Sequence, residues 1–350
     1  MNVAIVKWTE VDGIAHPIAN ELQALGYQTT FFHYYDRIPE KVDLVFSFAP
    51  YGHFLQIPHQ LSKLPAEQRP QFLHWNFESF PNHNIPWCLT SRIGTFRSLI
   101  GVLNATNHPV PRKLRDTQPM SIINQRMHKF RYLGDNIYAY TKGWLDLLIE
   151  SSIIHTEIYN QHGTPAVYVP WGTSRDWYAN LDLERDIDVL WFGKRRTKQR
   201  SRLLDKIRAQ LEKRGYTMYV ADNEENPFIF GGQRINFLNR SKITLGLLPA
   251  WYDTSATFRI NLAAANRSLF VTEPILPHAP EYAAGKHYVS SPVDQLVEAI
   301  IYYLENEYER SRIIDSAYHL VTSELTLGNS IQTIMDLVDF HCAQEDSREE

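Results

Sequence analysis

Five cations follow an apolar run in the second half of the chain, and their types suit the binding of an anion. The run ends at Gly193, and the cations are Lys194, Arg195, Arg196, Lys198 and Arg200. Glycine permits a tight turn from a strand into a helix, and the first turn of that helix presents unpaired N–H groups to an anion. Arginine adds bidentate pairing with phosphate oxygens. The segment therefore predicts a site for a phosphate-bearing ligand, with a solvated surface turn as the alternative.

Two common phosphate-binding patterns are absent from the sequence. Neither G-x-G-x-x-G nor G-x-x-x-x-G-K-[ST] occurs, so a Rossmann dehydrogenase and a P-loop enzyme lose support. No Asp-x-Asp follows a predicted strand. We therefore expect neither a metal ion nor a cofactor to be obligatory.

The elements that must position these cations alternate between strand and helix. Apolar runs typical of strands lie at residues 2–6, 29–32, 42–47, 72–75 and 167–169. Helical patterns cover residues 14–25, 144–149 and 331–341, and a second alternation of strands and helices begins at Asp186. This order predicts doubly wound parallel sheets, which bind their ligands at the carboxyl ends of the strands.

Length and composition narrow the class of protein. A chain of 350 residues favours two domains, and a net charge of −4 makes nucleic acid an unlikely partner. The two cysteines, Cys88 and Cys342, are far apart and suit a reduced cytoplasmic setting. The amino terminus has no pattern of a signal peptide, and no apolar run approaches the roughly 20 residues that span a bilayer.

The stretch from Arg92 to Arg131 is rich in cations and contains one acid, Asp116. Apolar residues such as Phe96 and Leu99 are interleaved with these cations. The combination predicts either peripheral contact with a membrane that carries a lipid-linked acceptor, or a solvated pair of helices that covers the sheet edge.

Several short motifs resemble, in their order and spacing, the CgeB-like branch of the group 1 glycosyltransferases. They are YNQHGTPAVYVPWG at 159–172, FG with the basic loop at 192–200, LNRSKITL at 238–245, FRINLAAA at 258–265, a strand ending in Glu273, EYAAG at 281–285 and YYL at 302–304. Each motif is weak by itself. The resemblance covers about residues 136–326 well and the first 90 residues loosely.

The resemblance implies a GT-B fold, with two Rossmann-like domains that face each other across a cleft. It implies an acceptor-side domain at 1–172, a linker at 173–185, a nucleotide-sugar domain at 186–326, and a final helix and acidic tail at 327–350. The implied activity is transfer of a sugar from a nucleotide-diphosphate sugar to a carbohydrate or lipid-linked acceptor. Residues implied in donor binding are Gly193, Lys194, Arg195, Arg196, Lys198, Arg259, Arg267 and Glu273.

Three residues are implied in catalysis. Arg259 would offset the charge that develops on the leaving diphosphate. His16 would orient an acceptor hydroxyl or sugar, and Glu78, which follows a predicted strand, would act as a base. The alternatives are a structural ion pair for Arg259 and a surface histidine for His16.

The sequence departs from the family pattern at two carboxylate positions and one small residue. Leu262 and Thr254 stand where relatives carry glutamates, and Arg267 stands where they carry a glycine. Either the donor is bound differently, with Arg267 on phosphate, or the chain binds nucleotides or glycans without transfer. An epimerase on the same fold and a nucleic-acid glycosylating enzyme are further alternatives. The sugar, the nucleotide, the acceptor and the stereochemistry stay open.

Overall fold

In a computed structural model, the chain divides into two compact units. The structure describes residues 1–7, 13–48, 54–105, 128–254 and 256–349. Unit 1 comprises Met1–Pro170 and Ile331–Glu350, and unit 2 comprises Trp171–Ser330.

Unit 1 contains a six-stranded parallel sheet. Its strands are β1 (Asn2–Lys7), β2 (Gln28–His33), β3 (Leu44–Ser47), β4 (Gln71–Asn76), β5 (Leu147–Glu150) and β6 (Val167–Tyr168), in the order β2-β1-β3-β4-β5-β6. Its helices are α1 (Ala15–Ala24), α2 (Gln56–Leu61), α3 (Trp87–Ala105), α4 (His128–Thr141) and α5 (Ile153–Gln161), with a 3₁₀ turn at Ala66–Gln68. Runs such as Val3–Val6 are buried along their whole length, as expected for strands covered on both faces.

One predicted element of unit 1 is wrong. The helix expected around residues 144–149 is the strand β5, whose Leu147–Glu150 pair in parallel with β4. A short apolar run does not distinguish a buried strand from a helix, and here the free edge of β4 decided the outcome.

Helices α3 and α4, which lie between β4 and β5 in the chain, pack closely against each other. A Cβ atom added to Gly134 would lie 2.2 Å from the carbonyl oxygen of Gly94, so two glycines allow this approach of the helix backbones. The basic stretch at 92–131 thus falls partly on these helices, and its residues 106–127 lie outside the described part of the chain.

Unit 2 contains a five-stranded parallel sheet. Its strands are β7 (Ile187–Phe192), β8 (Met218–Ala221), β9 (Ser241–Gly246), β10 (Leu269–Thr272) and β11 (Val289–Ser290), in the order β11-β10-β9-β7-β8. Its helices are α6 (Lys198–Lys213), α7 (Gly231–Arg240), α8 (Ala256–Ala265), α9 (Leu296–Glu305) and α10 (Glu307–His319), with a 3₁₀ turn at Arg175–Trp177 and a π-helical turn at Leu320–Glu324. One apolar cluster of this unit includes buried residues of β7, β9 and β10.

The segment from Trp171 to Arg185 is tied to unit 2 by side-chain hydrogen bonds. Asn261 Nδ2 donates to the Trp171 carbonyl at 2.7 Å, and Asn266 Nδ2 donates to the Trp177 carbonyl at 3.0 Å. Arg185 donates to the carbonyls of Leu238, Ser241 and Asn266. These bonds satisfy backbone oxygens that an unattached segment would leave to water.

The last helix, α11 (Leu327–Glu349), begins in unit 2 and continues into unit 1. Its buried residues Ile331, Ile334, Met335 and Val338 follow helical spacing. Val338 lines a cavity of about 210 Å³ at the amino ends of β3, β4 and β5. Within the described residues, no helix has the length and apolar character needed to cross a bilayer.

Candidate functional site

Gly193 forms the turn at the carboxyl end of β7. Its N–H donates to the Ala221 carbonyl at 3.0 Å, and its φ is +133°, a conformation that favours glycine. A Cβ atom at this position would lie 3.0 Å from Nη2 of Arg259. The missing side chain of Gly193 therefore leaves room for the Arg259 guanidinium at the edge of the sheet.

Arg259 lies in the first turn of α8 and is half-buried. Its Nη1 donates to the Leu247 carbonyl, at the end of β9, over 3.4 Å. Burial lowers the pKa of Arg259 to about 10; Asp253 opposes this shift and Arg196 adds to it. The Arg259 side chain therefore stays charged at neutral pH, and it lies close enough to Arg200 to interact with it electrostatically.

Arg200 is the buried cation of this site. Its side chain lies with the guanidinium carbon 5.2 Å from the centre of the Trp191 ring, and the residue is 3% exposed. Among the described residues, neither Nε nor Nη2 of Arg200 has a hydrogen-bond partner. Burial, followed by Arg259 and Arg196, lowers the pKa of Arg200 to about 9, with Asp253 and Glu273 opposing. A buried guanidinium with open donors is costly unless an anion completes it.

The cap of α6 explains why Arg200 points inward. Thr197 is the N-cap residue, and its Oγ1 accepts a hydrogen bond from the Arg200 N–H at 3.2 Å. Arg200 then shares the buried face of α6 with Leu204, Ile207 and Leu211. The predicted site residues omit Arg200, although it belongs to the basic loop. The spacing of 4, 3 and 4 residues to these apolar positions was the signal that it faces inward.

Glu273 follows β10 and stabilises the neighbouring loop. Its Oε1 accepts a hydrogen bond from the Leu248 N–H at 2.7 Å. Burial raises the pKa of Glu273, while the Leu248 N–H and Arg200 act to lower it. Glu273 thus supports the loop after β9 and faces the cations. Its predicted contact with the donor stays a prediction.

The remaining cations of the basic loop differ in availability. Arg195 is held by carboxylates: its Nη1 lies 2.7 Å from Asp205 and its Nε lies 2.6 Å from Asp222, while Glu225 also pairs with it. Since these acids neutralise Arg195, the structure does not favour its predicted role as a diphosphate ligand. Arg196, Lys194 and Lys198 are exposed, and Arg196 adopts a φ of +59°.

Taken together, the edge of the unit 2 sheet gathers Arg196, Arg200 and Arg259 around the glycine turn. The mutual repulsion of these cations costs free energy, and Asp253 and Glu273 offset this cost in part. An anion with several oxygen acceptors is the kind of ligand that would complement these cations.

Comparison with known proteins shows similarity to glycosyltransferases. Residues 195–336 match the family described as Glycosyl transferase-like. A glycosyltransferase from Rickettsia africae has 11% identity and a TM-score of 0.56, covering 97% of this chain and 98% of that one. Anabaena HepE, solved with UDP and glucose, has 9% identity and a TM-score of 0.57, covering 97% and 99%. Sucrose-phosphate synthase from Thermosynechococcus elongatus has 10% identity and a TM-score of 0.61, covering 98% and 100%. The comparison with curated proteins found no match.

The chain has the GT-B fold. Both sheets are parallel and doubly wound, with the first strand of each lying between its second and third strands, and the structural matches span nearly the whole chain. The family match over residues 195–336 supports the prediction of a group 1 glycosyltransferase. The narrower CgeB-like assignment is still a prediction. The matched family segment contains Arg196, Arg200 and Arg259, which form the cationic edge of this GT-B chain.

The structure separates Arg267 from the other predicted donor residues. Arg267 follows the last turn of α8, whereas Arg259 lies in its first turn. Its Nη1 pairs with Asp315 at 2.8 Å, and its guanidinium carbon lies 4.0 Å from the centre of the Tyr318 ring. The prediction that Arg267 contacts phosphate therefore finds no support in this geometry, because the intervening helix separates it from Gly193.

The two family carboxylate positions are buried in this GT-B chain. Leu262 is fully buried on α8, and Thr254 is nearly so. Asp253, one residue before Thr254, is also buried and interacts electrostatically with Arg200, Arg259 and His278. No local spacing in the sequence points to this role of Asp253, since its neighbours in space lie on three other segments.

The candidates of unit 1 follow the carboxyl ends of its strands. His16 is exposed in the first turn of α1, and its ring centre lies 4.6 Å from that of Phe31. Glu78 is half-buried two residues after β4, and its N–H donates to Asn76 Oδ1 at 3.3 Å. Asp12, in the loop before His16, lies outside the described residues. Within the described ranges, no group of three or more His, Cys, Asp or Glu side chains is arranged to hold a metal ion.

Proposed function

We propose that this protein transfers a sugar from a nucleotide-diphosphate sugar, and that Arg196, Arg200 and Arg259 bind the diphosphate. The open donors of the buried Arg200 carry this proposal. A diphosphate would convert an unpaired buried cation into a charge-assisted, multiply bonded one.

The chemistry follows from where charge develops. When the bond between the sugar and the diphosphate breaks, the electron pair leaves on the diphosphate oxygen. Arg200 and Arg259 offset that charge within a partly desolvated site, where electrostatic stabilisation is strong. We therefore propose that these arginines, rather than a bound metal ion, stabilise the leaving group.

In unit 1, we propose that Glu78 receives the proton of the acceptor hydroxyl as its oxygen bonds to the anomeric carbon. His16 would orient the acceptor. The acceptor itself is proposed to be a carbohydrate or a lipid-linked sugar. Exposed apolar side chains on α3, namely Leu89, Phe96 and Leu99, support peripheral contact with a membrane through the basic stretch, part of which lies outside the described residues.

The test is a thermal-shift panel of UDP-, GDP-, TDP- and CDP-sugars with the free nucleotides. We propose UDP as the nucleotide, since Anabaena HepE was solved with UDP, and we expect the uridine compounds to raise the midpoint of unfolding, because a ligand that binds only the native state stabilises it. Arg259→Ala should lose the shift. Arg267→Ala, at the other end of the same helix, is the matched control and should keep it. Equal responses of the two variants, or no shift with any nucleotide, would overturn the proposal.

A second candidate is a protein that binds nucleotides or glycans without transferring sugar. The buried Leu262, at a position where the family pattern has glutamate, favours it. Release of free nucleotide from a bound nucleotide sugar distinguishes the two. Slow hydrolysis that Glu78→Gln abolishes supports transfer chemistry, whereas binding with no release supports the second candidate.

A further inference from the structure

The segment from Asn76 to Phe80, which carries Glu78, is attached to unit 1 at both of its ends. At the first end, Asn76 Nδ2 donates to Glu150 Oε1 at 2.7 Å, and Asn76 Oδ1 accepts from the Glu78 N–H at 3.3 Å. One buried amide thus bonds both to Glu150, at the end of β5, and to the backbone of the segment.

At the other end, the Phe80 ring stacks on the imidazole of His155. The ring centres are 3.8 Å apart and the planes differ by 7°. The edge of Tyr159 packs against the same Phe80 ring, with centres 5.0 Å apart. Both Phe80 and His155 are buried, so this contact is fixed by packing on α5.

The residues that hold the two ends of the segment, Glu150 and His155, lie next to each other. Glu150 Oε2 lies 3.5 Å from His155 Nδ1, and both side chains are buried. Among the described residues Glu150 Oε2 has no hydrogen-bond partner, so it is close to His155 without a hydrogen bond. The contacts therefore run from Glu150 through Asn76 and the segment to Phe80 and His155, and His155 lies beside Glu150 again. We call this set the clamp: Asn76, Phe80, Glu150 and His155.

Holding a loop with the clamp costs free energy, because a carboxyl group must be buried. Glu150 has 0% exposure, and burial raises its pKa well above the usual range, with the Asn76 bond opposing. Apolar side chains of similar volume would stabilise a sheet edge as well or better. A buried polar network does fix one arrangement of its members, and the carboxyl edge of a parallel sheet is where ligands bind.

We infer that Glu150 is a positioning residue that acts through Asn76 to hold the Glu78 carboxylate in place for an acceptor hydroxyl. This inference rests on the proposed function, in which Glu78 receives the acceptor proton. Glu150 itself is fully buried and does not touch substrate. Preorganisation of this kind matters because a misplacement of about 1 Å can lower a rate about 100-fold.

Hydrogen–deuterium exchange of the full chain tests the clamp without any substrate. Glu150→Leu removes the acceptor of Asn76 Nδ2, and exchange of the amides at 77–80 should become at least 10-fold faster. The amides of β7 and β9 in unit 2 serve as an internal reference and should not change. Glu150→Gln keeps an oxygen acceptor and should restore the parent exchange. Asn76→Ala is a second route to the same loosening if Glu150→Leu folds poorly.

Turnover of UDP-glucose to UDP then tests the positioning role. For Glu150→Leu we expect kcat to fall about 10-fold with the KM and the UDP thermal shift unchanged, and Glu150→Gln to recover most of the rate. The double variant with Glu78→Gln should be no slower than Glu78→Gln alone. Parent-like exchange at 77–80 in both Glu150→Leu and Asn76→Ala would overturn the inference, as would parent-like turnover. The absence of a thermal shift with every nucleotide of the panel would instead count against the proposed function and leave the exchange result unaffected.

Discussion

The carboxyl edges of the two sheets have the same architecture and opposite chemistry. In unit 2, the edge gathers Arg196, Arg200 and Arg259, and the described donors of Arg200 are open. In unit 1, the edge carries Asn76 and Glu150, which bond to each other. One edge is therefore suited to bind an anion, and the other is suited to hold its own loop.

The difference shows how one fold supports two tasks. Both units place short loops after buried parallel strands, so the backbone supplies equivalent positions. The charge and the hydrogen-bond satisfaction of the side chains then decide the role of each edge. Nε and Nη2 of the buried Arg200 lack hydrogen-bond partners among the described residues, which favours binding of an anion, whereas Oε1 of the buried Glu150 is bonded to Asn76 and so helps to fix the loop.

The largest expected effect concerns Arg200. Arg200→Met should weaken binding of UDP about 100-fold, because a hydrogen bond to a charged group contributes ~1.5–3 kcal/mol. The same change removes a buried charge, so the ligand-free protein should unfold at an equal or higher temperature. Calorimetric titration with UDP and a thermal scan check both parts.

The control for Arg200→Met is Arg267→Met, since Arg267 is exposed and lies at the other end of α8. Its UDP affinity should match that of the parent. If both variants bind UDP equally well, the edge of the unit 2 sheet is not the anion site, and the contrast drawn between the two sheet edges is wrong.

The next effect concerns Gly193. Gly193→Ala places a Cβ atom 3.0 Å from Arg259 Nη2 at a φ of +133°, so we expect about 10-fold weaker UDP binding together with a lower midpoint. Gly215→Ala shares the positive φ, at +85°, but has no atom within 4 Å of the added Cβ. It should lower the midpoint while keeping the affinity. Equal losses of affinity would mean that strain, rather than contact with Arg259, is responsible.

An effect of a few degrees is expected from pH in unit 1. Burial raises the pKa of Asp135 from 3.8 to about 7, with Arg131, Ser98 and Arg97 opposing. The neutral form is thus favoured in the folded state, and its stabilisation is lost as pH rises from about 4 to about 7.

Asp135→Asn lacks this titration. Its midpoint, measured relative to the parent, should rise by a few degrees between pH 4 and pH 7. A difference between parent and variant that is constant over this range would show that Asp135 does not titrate there.

The smallest effect is expected from Arg195. Because Asp205, Asp222 and Glu225 already pair with it, Arg195→Gln should change UDP affinity less than about 3-fold while lowering the midpoint of unfolding. Arg196→Gln is the comparison, and it should weaken UDP binding more. A larger loss of UDP affinity in Arg195→Gln than in Arg196→Gln would indicate that Arg195 binds the ligand.

Much of the fold was predictable from local pattern. The buried runs of β1, β3 and β4 stand out in the sequence because strands covered on both faces are continuously apolar. β5 was not recognised, since its four residues carry no period of their own and its identity depends on pairing with β4.

The candidate site was predictable only in part. The basic loop, Gly193 and Arg259 were visible as residue types next to predicted strands. The ion pairs of Arg195 could not be predicted from the sequence, because the carboxylates belong to residues 205, 222 and 225. Likewise, the clamp joins residues on β4, its following loop, β5 and α5, and no local spacing connects them.

By itself, the amino-acid sequence determined the two parallel α/β units and the presence of cations after a glycine turn. These are consequences of short-range order, in which hydrophobic period selects the element and glycine permits the turn. Only the tertiary structure decided which cations are open, which are neutralised and which carboxyl is buried. Charge interactions depend on distance and burial, and both are set by segments far apart in the chain.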